Sequence, residues 1–349
     1  MPIVMIRNDI AKVSADAIVN PSNDKLLEGS GASRAIYLAA GEKKLTEACK
    51  KIGHCDVGKA VITPAFHLHA KYIIHAVGPI WVDGKHGEGE ILYRTYDYAL
   101  QLAKEYNLHS IAFPLLSSGN YGYPKEQALK IAIQAMSDFL MKHDMNVYLV
   151  IYDQSSVVIS KKLFASIEEY IDDNYVEEND EEFSEADNDS EYTTDRSRNA
   201  MRQTVSSARS EFHPVYGDDT PKAIPTIRSL QRLIERQHET FSQMLLRLID
   251  ERGLKDSYVY KMANVDRRHF SKIRNDIEYT PNKKTVLAFA IALKLSEDET
   301  KDLLMRAGFA FSCCSKFDVI IGYFIENQKY DIFEINEVLF AYGQPTLGG

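Results

Sequence analysis

The amino-acid sequence predicts an α/β domain followed by an all-α domain. Two apolar, strand-like segments, at residues 17–19 and 111–116, each run through a loop of small polar residues into a helical pattern. After about residue 225 the apolar residues recur at helical spacing instead. With 349 residues the chain exceeds one usual domain, which agrees with this division.

The first strand-loop-helix unit lies near the N-terminus. After the strand at 17–19 the chain passes two amides, Asn20 and Asn23, and then enters the run 28–31. A helix is predicted from Ala32 to the glycine at position 41. Glycines let the backbone approach a ligand closely, and the N–H groups at a helix start attract negative charge. The unit therefore predicts a phosphate site, with an ordinary tight α/β turn as the alternative.

A second unit of the same kind follows in the middle of the chain. The strand at 111–116 leads into the small residues of 117–123, and Pro124 stands where a new helix tolerates proline. Apolar residues then recur at helical spacing, at Leu129, Ile133, Met136 and Leu140. Another strand is predicted at 147–151. Both loops follow the carboxyl ends of strands, which is where open α/β sheets bind ligands.

With this pair of loops the chain resembles the macrodomain family of ADP-ribose-binding modules, over residues 1–173. The early run Asn8, Asp9, Ile10 resembles the family's adenine-recognition motif, and 20–23 resembles its two-asparagine motif. Further residues fit the ADP-ribosyl hydrolase branch, namely Gly58, Ala60, Thr63, Leu68, His75, Ala76, Val77, Gly78, Pro79 and Trp81. The resemblance implies a three-layer α/β/α fold with a mixed central sheet.

The resemblance also implies roles for individual residues. The Asp9 carboxylate would accept from the adenine amino group, and Asn23 and the Tyr121 ring would contact the distal ribose. The implied ADP-ribose contacts are Asp9, Ile10, Asn23, Gly29, Ser30, Gly31, Ala32, Ser118, Gly119, Asn120, Tyr121 and Tyr152. Asn20 is expected to be structural, and His75 is expected to pack in the core. The alternatives are that Asp9 and Asn23 only close turns and that Tyr121 packs on the surface.

The first loop departs from the hydrolase pattern at the position of the catalytic aspartate. Hydrolases of this branch carry four glycines, a valine and an aspartate, whereas this chain has Glu28, Gly29, Ser30, Gly31, Ala32 and Ser33. Near neutral pH the Ser33 hydroxyl can position a water molecule but cannot deprotonate it, and losing a general base costs about 10²- to 10⁴-fold in rate. Asn23 and Ser33 are therefore the candidate catalytic residues, with Glu28 as an alternative base.

These features predict that the chain binds ADP-ribose and removes it from modified macromolecules. One alternative is a non-catalytic ADP-ribose sensor that transmits the bound state through the helical domain. The other is O-acetyl-ADP-ribose deacetylation, which would use the same pocket.

Composition excludes several other classes of protein. No stretch approaches the roughly 18 apolar residues of a membrane span, so we expect a cytoplasmic protein without membrane contacts. The four cysteines are spaced for neither disulfides nor zinc; they are Cys49, Cys55, Cys313 and Cys314. We expect no metal and no cofactor. The alternative is a metal site at His54 with Cys55, or at His67 with His69.

An acidic segment separates the two domains. From Glu168 to Asp195 there are fourteen acidic residues and no basic one. Residues 174–224 are therefore predicted to be a disordered linker. The alternative is an acidic mimic of nucleic acid that occupies a basic surface of the same molecule.

Residues 225–349 are predicted to be helical, and the segment 257–275 resembles a helix-turn-helix of the phage-repressor type. Asp266 would cap its second helix, while Phe270 and Ile273 face inward. The candidate DNA-binding residues on the outward face are Arg267, Arg268, Ser271, Lys272 and Arg274. Between residues 225 and 312, sixteen basic and twelve acidic residues give a local net charge of only +4. A helical protein-interaction or dimerisation domain therefore remains the alternative.

Apolar residues are frequent near the C-terminus. They include Phe317, Val319, Ile320, Tyr323, Phe324 and the stretch 332–340. Their frequency predicts packed helices and a surface for homo-oligomer formation.

Overall fold

A six-stranded sheet forms the centre of the first domain in the computed structural model, which describes residues 2–152, 161–175 and 239–348. The strands are β1 (Ile3–Arg7), β2 (Ala17–Pro21), β3 (Ala60–Pro64), β4 (Tyr72–Ala76), β5 (Ser110–Pro114) and β6 (Asn146–Ile151). Their order across the sheet is β1-β6-β5-β2-β4-β3. All neighbours run parallel except β3 and β4, so the predicted mixed sheet is confirmed.

Two pairs of helices cover the two faces of this sheet. They are α1 (Ala32–Ala40) with α2 (Glu42–Ile52), and α3 (Glu88–Glu105) with α4 (Lys125–Lys142). Alternate residues of β2 serve the two faces: Ala17 and Val19 pack with the α3 and α4 side, and Ile18 with the α1 and α2 side. All three are fully buried. The three-layer α/β/α prediction is therefore confirmed.

Eight helices of the described residues follow the sheet. They are α5 (Lys161–Asn174), α6 (Phe241–Glu251), α7 (Asp256–Met262), α8 (Arg267–Asn275), α9 (Lys283–Ala292), α10 (Glu297–Arg306), α11 (Lys316–Glu326) and α12 (Ile332–Ala341). Asp266 caps α8 by accepting from the Arg268 N–H at 2.6 Å, as expected, and Phe270 and Ile273 are buried. None of the described helices is both long and apolar enough to cross a membrane.

The resemblance over residues 1–173 assigns the segment of α5 to the first domain, but in the structure α5 packs with the helical domain. Ile167 and Ile171 are buried in the core of the helical domain, and the Tyr170 ring meets the Tyr323 ring of α11 edge to face at 5.3 Å. The physical reason is that the apolar face of α5 matches the apolar face of α11. Apart from Asn174 and Tyr175, the predicted linker 174–224 lies outside the described residues, as do 225–238.

The apolar side chains of the C-terminal helices are buried by other parts of the same chain. Ile320 and Phe324 of α11 are fully buried in the helical core. Phe340 of α12 packs instead into the core of the first domain, on the α3 and α4 side. These side chains therefore do not form the exposed surface for self-association that we expected. Oligomer formation itself stays a prediction.

One buried amide joins the helical domain to the edge of the sheet. Asn264, in the turn between α7 and α8, is 3% exposed and has a left-handed φ of 53°. Its Oδ1 accepts from the Ile3 N–H at 2.7 Å, and its Nδ2 donates to the Ile3 carbonyl at 2.8 Å. The Asn264 side chain therefore replaces the strand that β1 lacks on its outer side.

Replacing Asn264 by alanine is expected to destabilise the protein. The N–H and C=O of Ile3 would remain buried without partners, which lowers the free energy of unfolding by about 2 to 4 kcal/mol. Urea unfolding measures this loss. The matched control is Asn107→Ala, because Asn107 has the same φ of 53° but is exposed. Equal losses in the two variants would mean that the left-handed backbone, and not the pairing with Ile3, sets the cost.

Candidate functional site

Two loops meet at the carboxyl edge of the sheet. The first loop (residues 22–31) follows β2 and the second loop (115–124) follows β5, and these strands are parallel neighbours. Asn120 Nδ2 in the second loop donates to Ser30 Oγ in the first at 2.5 Å. The structure thus brings two of the predicted ligand residues together across the loops.

The first loop is held in shape by the side chain of Asn23. Its Nδ2 donates to the Leu27 carbonyl at 2.9 Å, and its Oδ1 accepts from the Leu27 N–H at 3.0 Å. A side-chain amide has four hydrogen-bonding sites, so two remain for a ligand hydroxyl. The turn role and the ligand role predicted for Asn23 are therefore compatible.

The Ser33 side chain supports the first loop from below. Ser33 is 2% exposed, and its Oγ accepts from the Gly29 N–H at 3.1 Å. Gly31, just before α1, has φ 59° and ψ −126°, a conformation open only to glycine at low cost. The first loop therefore leads directly into the N-terminus of α1, whose N–H groups favour an anion.

Glu28 is neutralised by a cation within the same segment. Its carboxylate forms an ion pair with Arg34 in the first turn of α1, and Glu42 lies 3.6 Å from the same guanidinium. The hydrogen bond from Arg34 to the Glu28 carboxylate, and after it the negative charge of Glu28, raises the pKa of Arg34. This pairing removes much of the repulsion that Glu28 would exert on a diphosphate. It also engages the carboxylate that the alternative role of Glu28 as a base would need free.

The second loop exposes backbone at Gly119. Ser118 Oγ donates to the Leu115 carbonyl at 2.8 Å, and the Gly122 N–H donates to the Gly119 carbonyl at 2.8 Å. Gly119 lies at the surface, and a Cβ placed on it would meet nothing within 4 Å. The backbone here is therefore fixed by the loop but open to a ligand.

Sequence reasoning missed Ser117 at the start of this loop. Its φ is 63°, and its buried Oγ has no hydrogen-bond partner among the described residues. A Cβ on Gly78 would lie 2.3 Å from that oxygen, so only glycine fits opposite it. Nothing in the run Ser117, Ser118 distinguishes the two serines beforehand.

A third loop (residues 78–87) packs beside the second. The Trp81 N–H donates to the Tyr121 carbonyl at 2.8 Å. Burial, and after it the carboxylate of Asp24 in the first loop, raises the pKa of Tyr121. The third loop therefore holds the backbone of Tyr121 in place, and the ribose contact of its ring stays a prediction.

Within the described residues, one trio of possible metal ligands lies close together in the third loop and at the start of α3: Asp83, His86 and Glu88. The Glu88 carboxylate already accepts from the N–H groups of residues 82, 83, 84 and 86, at 2.7 to 3.3 Å. Burial opposes ionisation of Glu88, but these N–H groups lower its pKa to about 2. The carboxylate therefore organises the loop backbone, and its oxygens are occupied.

The predicted adenine-side residues share the opposite edge of the site. Asp9 and Ile10 follow β1, and Tyr152 follows β6, with the Asn8 N–H donating to the Ile151 carbonyl at 3.3 Å. Asp9 Oδ1 accepts from the Ala11 N–H at 3.0 Å, and Ile10 is buried. Tyr152 is 80% exposed, so its ring is free to stack. Their ligand roles stay predictions.

A buried polar network lies beneath the loops. Asn20 Nδ2 donates to His75 Nδ1 at 3.0 Å, so the ring proton lies on Nε2, which donates to Thr63 Oγ1 at 2.9 Å. Asn20 and His75 are both fully buried. Burial lowers the pKa of His75 to about 4, so the ring is neutral. The structural roles predicted for Asn20 and His75 are confirmed.

The predicted DNA-binding residues all lie on the exposed side of α8, but most have partners in the chain. Arg267 lies 3.9 Å from Asp144 of the first domain, and Arg274 pairs with Asp256. Lys272 Nζ sits 4.0 Å from the centre of the Tyr279 ring. The Ser271 hydroxyl accepts from Asn275 at 3.2 Å, and Arg268 is exposed.

The neutral His75 predicts a loss of stability in acid. In the unfolded chain a histidine titrates near 6.5, whereas His75 in the fold titrates at about 4. Between these values the unfolded state binds more protons, so stability falls as pH falls, by about 2 kcal/mol from pH 7 to pH 5. The variant His75→Gln keeps one acceptor and one donor but does not titrate. Urea unfolding at both pH values should show a smaller drop for the variant, and equal drops would contradict this role.

Comparisons with known proteins agree with this geometry in the first half of the chain. The Macro domain family model matches residues 19–132. An O-acetyl-ADP-ribose deacetylase of Salmonella newport is 45% identical over 165 residues, which cover 46% of this chain and 92% of that protein. A macro domain-containing protein of Methanosarcina mazei is 44% identical over 165 residues, covering 47% of this chain and 88% of the relative.

Solved structures of macrodomains also match the first half of the chain, at lower identity. The Oceanobacillus iheyensis macrodomain with ADP is 36% identical, with a TM-score of 0.42, and covers 47% of this chain and 91% of that one. The Trypanosoma brucei macrodomain in complex with ADP-ribose is 32% identical, with a TM-score of 0.41. The match covers 44% of this chain and 65% of that one. The helix-turn-helix resemblance of residues 257–275 is not confirmed by these comparisons. Through its N-terminal domain, as the two curated relatives show, the chain belongs to the macro domain family.

Proposed function

We propose that the N-terminal domain binds ADP-ribose across the first and second loops. The observation that carries this proposal is the adjacency of the two loops, joined by the Asn120 to Ser30 hydrogen bond at the carboxyl edge of β2 and β5. Relatives and solved neighbours named for ADP-ribose, its acetyl ester or ADP support the same ligand.

The diphosphate would lie between the loops, where backbone N–H groups and the N-terminus of α1 favour negative charge. The adenine would lie toward Asp9 and Tyr152, at the edge formed by β1 and β6. The distal ribose would lie toward Asn23 and Tyr121. Opening the Asn120 to Ser30 bridge would free a donor and an acceptor for the incoming ligand.

The Gly119→Ala variant separates binding from folding. Because its Cβ meets nothing and its φ is not in the left-handed region, we expect the free energy of unfolding to stay within about 0.5 kcal/mol. The added methyl group would hold the phosphate away from the backbone, which should raise the Kd for ADP-ribose by about tenfold or more, or about 1.4 kcal/mol. Calorimetric titration of the full chain measures the affinity.

The matched control for this variant is Gly322→Ala on α11. Its Cβ would make an ordinary contact with the Tyr170 hydroxyl, at 3.6 Å, in the helical domain. We expect unchanged affinity for the control. An unchanged affinity for Gly119→Ala would contradict the proposed path of the diphosphate.

We further propose that the domain acts mainly as a reader of ADP-ribose. The two groups closest to a general base in the first loop are both engaged. Ser33 Oγ bonds to the Gly29 N–H, and Glu28 pairs with Arg34. The bound ligand would therefore be held by oriented amides, without a strong base beside it.

A second candidate function is the removal of an acyl group from O-acetyl-ADP-ribose. The name of the Salmonella newport relative favours it, at 45% identity over 92% of that protein. A water molecule would attack the acetyl carbonyl carbon, the ester C–O bond would break, and the ribose oxygen would take a proton. The loops would accelerate this step by positioning alone.

The variant Ser33→Asp tests both candidates. The new carboxylate would accept from the Gly29 N–H and could take a proton from water, so release should rise by about 10²-fold or more. Single-turnover assays would follow ADP-ribose from a modified protein and acetate from the acetyl ester. Ser33→Asn is the control, since it has the same shape without a base.

The wild-type rate then assigns the function. Binding without release of either product supports the reader, whereas rapid release of acetate alone supports the deacetylase. Rapid release of ADP-ribose from protein would contradict the reader proposal and restore the hydrolase prediction.

A further inference from the structure

Cationic side chains from both domains converge on one surface, away from the ADP-ribose loops. On the first domain, Lys104 lies in the last turn of α3 and Lys142 ends α4, and Lys104 Nζ lies 3.4 Å from His143 Nε2. Partial burial, and after it the charges of Lys104, Lys261 and Lys142, lowers the pKa of His143. Three lysines therefore surround His143.

The helical domain completes this surface. Lys261 of α7 donates to the Met141 carbonyl at 2.9 Å, which fixes its position at the end of α4. Arg267 begins α8 and lies 3.9 Å from Asp144, and Arg268 is exposed beside it. We call the set Lys104, Lys142, Lys261, Arg267 and Arg268 the composite basic surface.

The charge balance of this surface is opposite to that of the chain. Its five cations face three carboxylates, those of Asp97, Asp144 and Asp266, and five minus three leaves a local net charge of +2. The whole chain has a net charge of −9. A cluster of positive charge on an otherwise acidic protein raises the local concentration of polyanions at that surface.

We infer that the composite basic surface binds the phosphodiester backbone of nucleic acid. Lysine ammonium groups act as point charges for phosphate oxygens, and arginine can bind them with two parallel hydrogen bonds. The inference is independent of the ADP-ribose proposal, because none of these residues lies in the first, second or third loop.

The geometry favours phosphate contacts over base reading. In a helix-turn-helix, the N-terminal residues of the second helix reach base edges in the major groove. Here the turn before α8 is buried against β1 through Asn264, and Arg267 is turned toward Asp144. The first domain therefore stands beside the helix that would enter the groove. Phosphate contacts give affinity without sequence recognition.

The test uses the full chain and fluorescently labelled 24-base-pair duplexes at 50 to 200 mM salt. The double variant Lys104→Gln with Lys142→Gln removes two phosphate contacts. It should reduce the slope of log K against log salt by about 1.8, and should weaken binding by roughly 10- to 100-fold at 0.1 M salt. Both lysines are exposed, so urea unfolding should be unchanged.

The control is Lys43→Gln with Lys50→Gln, which makes the same charge change on exposed positions of α2. The control should bind within about twofold of wild type. Equal weakening in the two double variants would overturn the inference, as would the absence of salt-dependent binding at 50 mM.

Further arms identify the nucleic acid. Duplex DNA, duplex RNA and single strands carry the same phosphate chemistry, and the arm with the highest affinity at the same salt concentration names the partner. Two unrelated sequences should bind within a few-fold of each other. A strong preference for one sequence that survives Lys104→Gln with Lys142→Gln would overturn the inference in favour of base reading by α8.

Discussion

The parallel pairing of β2 with β5 is the constraint on which the site depends. Ala17 pairs with Ile111 and Ile18 with Ala112, so the two strands end at one edge and their loops emerge side by side. β2 is also paired with β4 on its other side, which centres the first loop in the sheet. The Ser22 N–H donates to the Ala76 carbonyl at 2.9 Å and carries this pairing into the loop. The proposed diphosphate site therefore draws on both loops.

The polar network under the loops has a consequence for their rigidity. Asn20 lies opposite His75 in the register of β2 and β4, and both side chains are buried in a region where an unpaired polar group would cost stability. Cys49 and Tyr37 extend the network, with the Tyr37 hydroxyl donating to the Leu26 carbonyl at 2.9 Å, while Asn20 Oδ1 has no hydrogen-bond partner among the described residues. Burial raises the pKa of the Cys49 thiol, so it stays protonated and unreactive. The network is a support for the first loop and not a second reactive site.

The sequence allowed the two strand-loop-helix units to be predicted because short apolar runs and small-residue loops are local signals. The strand at 17–19 extends to Pro21 in the structure, a difference within the usual error of strand ends. The role of Ser33 could not be predicted, since its bond to Gly29 depends on how the loop turns between them. The patterns also left α2, β3, β4 and α3 unassigned. The packing of α5 in the helical domain was not predicted, because an apolar helix face does not indicate which element covers it.

Because a sequence pattern does not show which partner covers a face, the turn between α7 and α8 was interpreted as part of a DNA-binding helix-turn-helix. The cations of α8 are exposed whether the turn faces water or another domain, so amphipathicity alone could not distinguish the two. What distinguishes them is the edge of the sheet. β1 is an outer strand, and an uncovered edge offers unpaired N–H and C=O groups to other chains. An amide side chain can satisfy both kinds of group at once, whereas serine or aspartate could not do so with the same geometry. Asparagine also tolerates the left-handed backbone that the tight turn requires. Asn264 therefore meets two demands at one position, and its place in the turn is better explained by the sheet edge than by nucleic-acid recognition.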